Sequence, residues 1–333
     1  MKTIDFKSIK TKVNNEVENR LLKNGLKTVN NMDFINNYIK KDKGTNLEIV
    51  ENLDLSYLKF EDIDFKDIKF KNCSFENSIF INCKATKLNI MDSDLKRVIF
   101  KSFNINNINI EDSSLKKGIF INCNINYIRI KDCDLKSFKL VETHICSFEF
   151  DDSLVTKFNE DTFFDNENFT YNENSYRFYK DIAYKFQQNN LLNHYGEYFY
   201  IYKNIERKNL KGFDRYKSRL LCMICGYGER PTYALITSLE IIFIFTFLYM
   251  GFGLSLGDKV ISYKNLFMLD KPLTVIINDF IRAFHFSIVT FTTVGYGDIT
   301  PIGYSILLSG VEMFLGVTMV GIWTATLARK INR

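Results

Sequence analysis

The chain has 333 residues, with 44 basic and 39 acidic side chains giving a formal net charge of +5, and 46% of it is hydrophobic. Charges this nearly balanced argue against a polyanionic surface of the kind that imitates nucleic acid. Of the few histidines, His144 and His194 are isolated, and no nucleophile, general base and orienting partner can be assembled, so an enzyme is not expected.

The first forty or so residues, rich in Lys and Asn, read as a helical cap over 1–49 for the open end of the repeat region that begins at residue 50. The start Met1-Lys2-Thr3-Ile4-Asp5-Phe6-Lys7 lacks the apolar core of a signal peptide, so the part preceding the membrane region is expected to stay in the cytoplasm.

From Leu55 every fifth residue is apolar, through Phe60, Phe65, Phe70, Phe75 and Phe80 to Leu140, Ile145 and Phe150. Two residues earlier in the pentad lies a second inward set, often small: Cys73, Ser78, Cys83, Ser93, Ser113, Gly118, Cys123 and Cys133. A period of five fits neither a helix nor a simple strand, so the repeat is a solenoid unit.

This pattern resembles the pentapeptide-repeat family. The resemblance implies a right-handed quadrilateral β-helix over 50–153, with four pentads per coil and about five coils, roughly 24 Å tall at a strand spacing of about 4.8 Å. Phe103 stands where the family prefers a small residue and predicts a local bulge; the register fails after Asp151 and Asp152. Some members imitate the charge of DNA, but Lys59, Lys69, Lys71, Lys84, Lys96 and Arg97 offset the acids here, so no nucleic-acid partner is expected. A rigid scaffold for assembly or regulation, with an unknown cytoplasmic ligand or protein on its faces, is the expectation.

Residues 154–230 read as an α-helical linker. Tyr176, Tyr179, Ile182 and Phe186 recur at helical spacing, Gln187-Gln188-Asn189-Asn190 interrupts, and Leu191, Tyr195, Tyr198, Tyr202 and Ile205 resume, which predicts a hairpin with an aromatic core. Cys222 and Cys225 have CxxC spacing, but no second pair or nearby histidine completes a metal site, so they read as structural.

The remainder, 231–333, is a membrane region. The apolar runs 233–254 and 302–327 carry one acid each, Glu240 and Glu312, and each is long enough to cross a bilayer core. Intramembrane acids are costly unless paired, protonated or wet, and Glu312 is expected to hydrogen-bond behind the segment that precedes it. Between the runs lies a half-length amphipathic stretch over about 279–291, followed by Thr292-Thr293-Val294-Gly295-Tyr296-Gly297-Asp298. Lys217, Arg219 and Arg230 before the first run, and Arg329, Lys330 and Arg333 after the second, place both termini in the cytoplasm.

The order helix, half-helix, Thr-Val-Gly-Tyr-Gly loop, helix resembles the two-span pore of bacterial potassium channels. Carbonyls of successive residues turn toward one axis only if the backbone alternates between ordinary and positive φ, which Gly295 and Gly297 permit. The resemblance implies a homotetramer in the inner membrane with potassium as the permeant ion and no cofactor. It places potassium at Thr293, Val294, Gly295 and Tyr296, with Gly297 completing the filter and Thr292, Asp298, His285 and Phe286 supporting it. His285 and Phe286 stand where the family often carries two tryptophans; His285 either bonds Asp298, as one of those indoles does, or is packed or solvent-facing. Gly316 lies near the family's hinge glycine, with Gly321 in reserve. Val289 replaces the acid that some channels bury behind the filter. The near-copy Gly226-Tyr227-Gly228-Glu229 lacks the threonine pair and a preceding span, and reads as a decoy.

Neither an arginine ladder nor a C-terminal ligand-binding domain is expected, so control of the pore is assigned to the N-terminal side through 213–230. The alternative is a membrane-anchored scaffold or tethering protein that docks a cytoplasmic partner on the repeats.

Overall fold

Phe60, Phe80, Phe100 and Phe120 are spaced by twenty residues and stack in register, each on the next, with Leu140 completing the row. Four pentads thus make one coil. The computed structural model describes residues 5–22, 26–30, 40–41, 48–166, 173–257, 259–263 and 272–333. The chain divides into two units, Met1–Leu210 and Lys211–Arg333.

In the first unit the coils form two stacks of parallel strands. One contains β1 (Lys27–Val29), β4 (Leu58–Glu61), β6 (Ile79–Ile81), β8 (Ile99–Lys101), β10 (Ile119–Ile121), β12 (Lys139–Phe150) and β13 (Phe163–Asn166). The other begins with the antiparallel pair β2 (Lys40–Lys41) and β3 (Glu48–Glu51) and continues through β5 (Asp64–Lys71), β7 (Lys84–Met91), β9 (Asn104–Glu111) and β11 (Asn124–Lys131) to the second half of β12. Isolated bridges through Asp54, Ser74, Asp94, Ser114, Asp134 and Lys157 mark six successive turns. The solenoid therefore passes the point where the pentad register fails: the step from Asp134 to Lys157 is longer than twenty residues, so the repeat is lost from the sequence while the coil continues.

The corners explain the abundant Asn and Asp. Asn72, Asn77 and Asn82 have φ of 52°, 57° and 54°, and left-handed residues recur at the same places in the later coils. Asn and Asp tolerate that region better than other residues with a Cβ. No corner residue with positive φ occurs between Asp62 and Asn72, and β5 runs through that side as an uninterrupted eight-residue strand.

Inside, the large apolar residues form a single core and the small set lies beside them, all buried. Burial pushes the thiols up to about 11 at Cys83 and about 12 at Cys123 and Cys133, which makes them packing groups rather than reactive ones. Phe103 is fully buried without a bulge, and the strands on either side keep their register. Its ring lies 6.1 Å from that of Phe65, two coils away, across the coil that contributes only Ala85 at this position. The small side chain there makes the room that a bulge was expected to provide.

Helix α1 (Phe6–Leu22) buries Val13 and Val17 against Ile79, Ile99, Ile119 and Val141, the outward-facing neighbours of the core residues. It lies along the side of the solenoid rather than over its open end. At that end β1 adds a strand through Val29, paired with Phe60. At the other end, α2 (Glu173–Gln188) and α3 (Leu192–Asn209) form the expected hairpin. Tyr179, Ile182, Phe186, Tyr198 and Tyr202 are its buried core, and Phe178 and Phe186 meet Phe148 and Phe158 of the last coils at 5.2 and 4.9 Å. Tyr198 Oη accepts a hydrogen bond from the Phe164 amide and donates to its carbonyl, closing the last strand.

The second unit comprises α4 (Gly212–Cys225), α5 (Pro231–Phe252), α6 (Leu273–Phe291) and α7 (Tyr304–Ile331). Three of them, α5, α6 and α7, are long and apolar enough to cross a membrane. The middle one is longer than the expected half-helix: it has 19 residues and starts ahead of Asp279, which is buried within it. A small antiparallel sheet joins β14 (Leu254–Leu256) to β15 (Lys259–Ile261) on one side and to β16 (Thr300–Pro301) on the other.

Candidate functional site

The Thr292–Asp298 segment leaves the C-terminal end of α6. The Thr292 amide bonds the Ile288 carbonyl at 2.9 Å, and the Thr293 and Val294 amides reach Thr290 and Val289 at 3.0 Å each, so the helix closes tightly before the chain turns out. The negative end of the helix dipole faces the start of this segment and favours a cation there.

Backbone conformation then alternates. Thr293, Gly295 and Gly297 have φ of 60°, 60° and 80°, whereas Val294 and Tyr296 keep ordinary negative values. Thr293 is β-branched, and a left-handed conformation there is an outlier of the kind found at functional sites. Neither Gly295 nor Gly297 is crowded, so backbone conformation and not space calls for glycine. The segment is exposed in the single chain, with Val294 53% and Tyr296 71% accessible.

The helices behind it are held by a buried polar contact. Glu312 of α7, fully buried, accepts hydrogen bonds from Tyr249 Oη of α5 at 2.6 Å and from Ser287 Oγ of α6. One carboxylate thus ties all three helices. Phe286 sits beside this group, edge-on to Tyr249 at 4.8 Å. Gly316 lies one turn further along α7, where a Cβ would come within 1.9 Å of the Phe291 carbonyl oxygen. Its glycine lets α7 touch the last residue of α6; Gly321 has open space around it.

His285 stacks parallel to Tyr296, with ring centroids 6.1 Å apart and planes 8° from each other. Among the described residues no His285–Asp298 hydrogen bond forms, and the ring contact with Tyr296 is what His285 makes. Glu240 is exposed on α5, unlike Glu312. Tyr263, just after the small sheet, donates to the buried Asp279 carboxylate at 2.7 Å, and burial together with that carboxylate pushes the phenol up to about 12.

Sequence reading brought Thr292–Asp298 together with Phe286, His285 and Glu312, but missed Tyr249, Ser287 and Tyr263. The available signal was a demand: a buried Glu312 or Asp279 requires donors, and hydroxyls in the flanking segments are the nearest supply.

Residues 53–130 and 73–150 match the model of a pentapeptide repeat region, and residues 241–333 match that of an ion channel. No curated protein and no solved structure matches the chain. The chain joins a pentapeptide repeat region to an ion channel domain.

Proposed function

We propose that the chain is one subunit of a homotetrameric potassium channel, and that residues 293–297 supply one quarter of its selectivity filter. The observation that carries this reading is the alternation of φ at Thr293, Gly295 and Gly297. That alternation turns successive carbonyls toward one side, and four such loops around an axis replace the hydration shell of a potassium ion. Thr293 contributes its carbonyl and hydroxyl, while Val294, Gly295 and Tyr296 contribute carbonyls.

Four-fold assembly also accounts for the exposure of Val294 and Tyr296, which become packing props between neighbours. Helix α6 acts as the pore helix, its carboxyl end aimed at the ion, while α5 and α7 span the inner membrane. Basic residues before α5 (Lys217, Arg219, Arg230) and at the C-terminal end of α7 and just past it (Arg329, Lys330, Arg333) orient both termini to the cytoplasm. The pentapeptide repeats then lie in the cytoplasm and serve assembly or regulation.

Purified full-length protein in liposomes tests this. Potassium-selective flux is expected, abolished by Gly295→Asp while tetramers persist. Tetramers without flux in the parent protein, with a partner captured by the repeats, would instead favour a membrane-anchored scaffold.

A further inference from the structure

The decoy motif Gly226-Tyr227-Gly228-Glu229 takes no part in the filter, yet it organises a charged junction of the second unit. Helix α4 ends at Cys225 and is capped by Gly226, and three successive residues, Gly226, Tyr227 and Gly228, have φ of 53°, 58° and 82°. The chain reverses within this turn and delivers Glu229 inward, its side chain only 1% exposed.

The partners come from the last turn of α7 and from Arg333 just past it. Arg333 holds both carboxylate oxygens, Nη2 to Oε1 at 2.8 Å and Nη1 to Oε2. Arg329 Nη2 lies 3.0 Å from Oε1, and Lys330 Nζ donates to the Glu229 carbonyl at 3.5 Å. Tyr227 Oη is hydrogen-bonded to Ser218 Oγ of α4 at 2.9 Å, which fixes the turn to the helix before it. Gly228 combines a left-handed φ with a close neighbour, since a Cβ would meet Arg329 Nη1 at 3.1 Å. A carboxylate this deeply buried is tolerated only while its cationic partners stay in place.

We propose that Glu229, Arg333 and Arg329 form a latch that makes the α4–α5 corner and the C-terminal end of α7 move together. Helix α4 is the first element after the boundary between the two units, so a displacement arriving along the chain at Gly212 reaches α7 through this latch. The proposal rests on the channel reading and supplies its route of regulation. Loss of the latch frees the end of α7 and changes the open fraction without touching the filter.

The test is potassium and sodium flux through the full-length tetramer in liposomes. Glu229→Gln and Arg333→Gln are each expected to change potassium flux about fivefold or more, in the same direction. The double variant changes it no further than either single one, because both remove one interaction. The swap Glu229→Arg with Arg333→Glu returns flux toward the parent value, and the potassium-to-sodium ratio stays constant throughout. Arg329→Gln, which removes the more exposed partner, gives a smaller shift in the same direction and serves where Glu229→Gln does not fold. Unchanged flux in a folded, tetrameric Glu229→Gln, or additive effects of the two single changes, would overturn the latch alone. Absence of flux in every variant and in the parent would overturn the channel reading and the latch with it.

Discussion

Glu312 Oε2 accepts a hydrogen bond from Tyr249 Oη at 2.6 Å, and both residues are fully buried. Glu312→Ala leaves the buried Tyr249 hydroxyl without its acceptor, whereas the Ser287 hydroxyl turns to the Ile242 carbonyl 3.0 Å away, and a loss of about 2 kcal/mol is expected. Glu312→Gln keeps an acceptor and costs less, about 1 kcal/mol. Thermal unfolding in detergent reads both; a Glu312→Ala protein as stable as the parent would contradict the three-helix tie.

Gly316 and Gly321 separate a packing role from a flexible one. In Gly316→Ala the new methyl collides with the backbone of Phe291, which cannot swing aside as a side chain does, so folded protein is expected to be lost or its melting temperature to fall sharply. Gly321→Ala meets open space and trades a poor helix former for a good one, a stabilisation of up to about 1 kcal/mol. Equal effects of the two changes would refute the close approach of α7 to α6.

At the far end of the solenoid, Asp152 and Lys185 pair at 2.6 Å with side chains 6% and 12% exposed. Burial raises the Asp152 carboxyl, but hydrogen bonds from Lys185 and Thr156 outweigh it and hold the group below its ordinary value. A lowered folded-state pKa means stability that is present above the unfolded value and lost as pH falls through the folded one. The hairpin is therefore expected to loosen below about pH 4. Asp152→Asn costs about 3 kcal/mol at neutral pH and removes this part of the acid sensitivity. Hydrogen exchange of the α2 amides against pH follows it.

Phe103 fills the space over Ala85, so Phe103→Ala should destabilise the first unit by about 4 kcal/mol. Ala85→Leu competes with the same ring and is expected to cost about 2 kcal/mol by overpacking. Combining Phe103→Ala with Ala85→Leu recovers part of the loss, which denaturant unfolding of the three variants can resolve.

The repeat was legible because one packing rule, a large apolar residue over another, acts at every coil from Phe60 to Leu140. The turn through Lys157 was hidden because extra residues break the period without breaking the hydrogen bonding. The seat of α1 was written in Ile79, Ile99, Ile119 and Val141, apolar at positions that would otherwise face water, though nothing in the pattern said which segment covers them. In the second unit the Thr293–Gly297 segment announced its backbone through its glycines. The partners of Glu312 did not appear, since they are 63 and 25 residues away and no local spacing links them.

Stacked coils normally touch only their neighbours, so such an array can open from an end one layer at a time. Helix α1 changes that behaviour here. By seating Val13 and Val17 against residues from several layers at once, it acts as a splint, and a layer can peel away only after the splint has lifted. Unfolding of the first unit thus becomes closer to all-or-none than its repetitive sequence suggests, and a pull on one end is carried to the other instead of being absorbed as fraying.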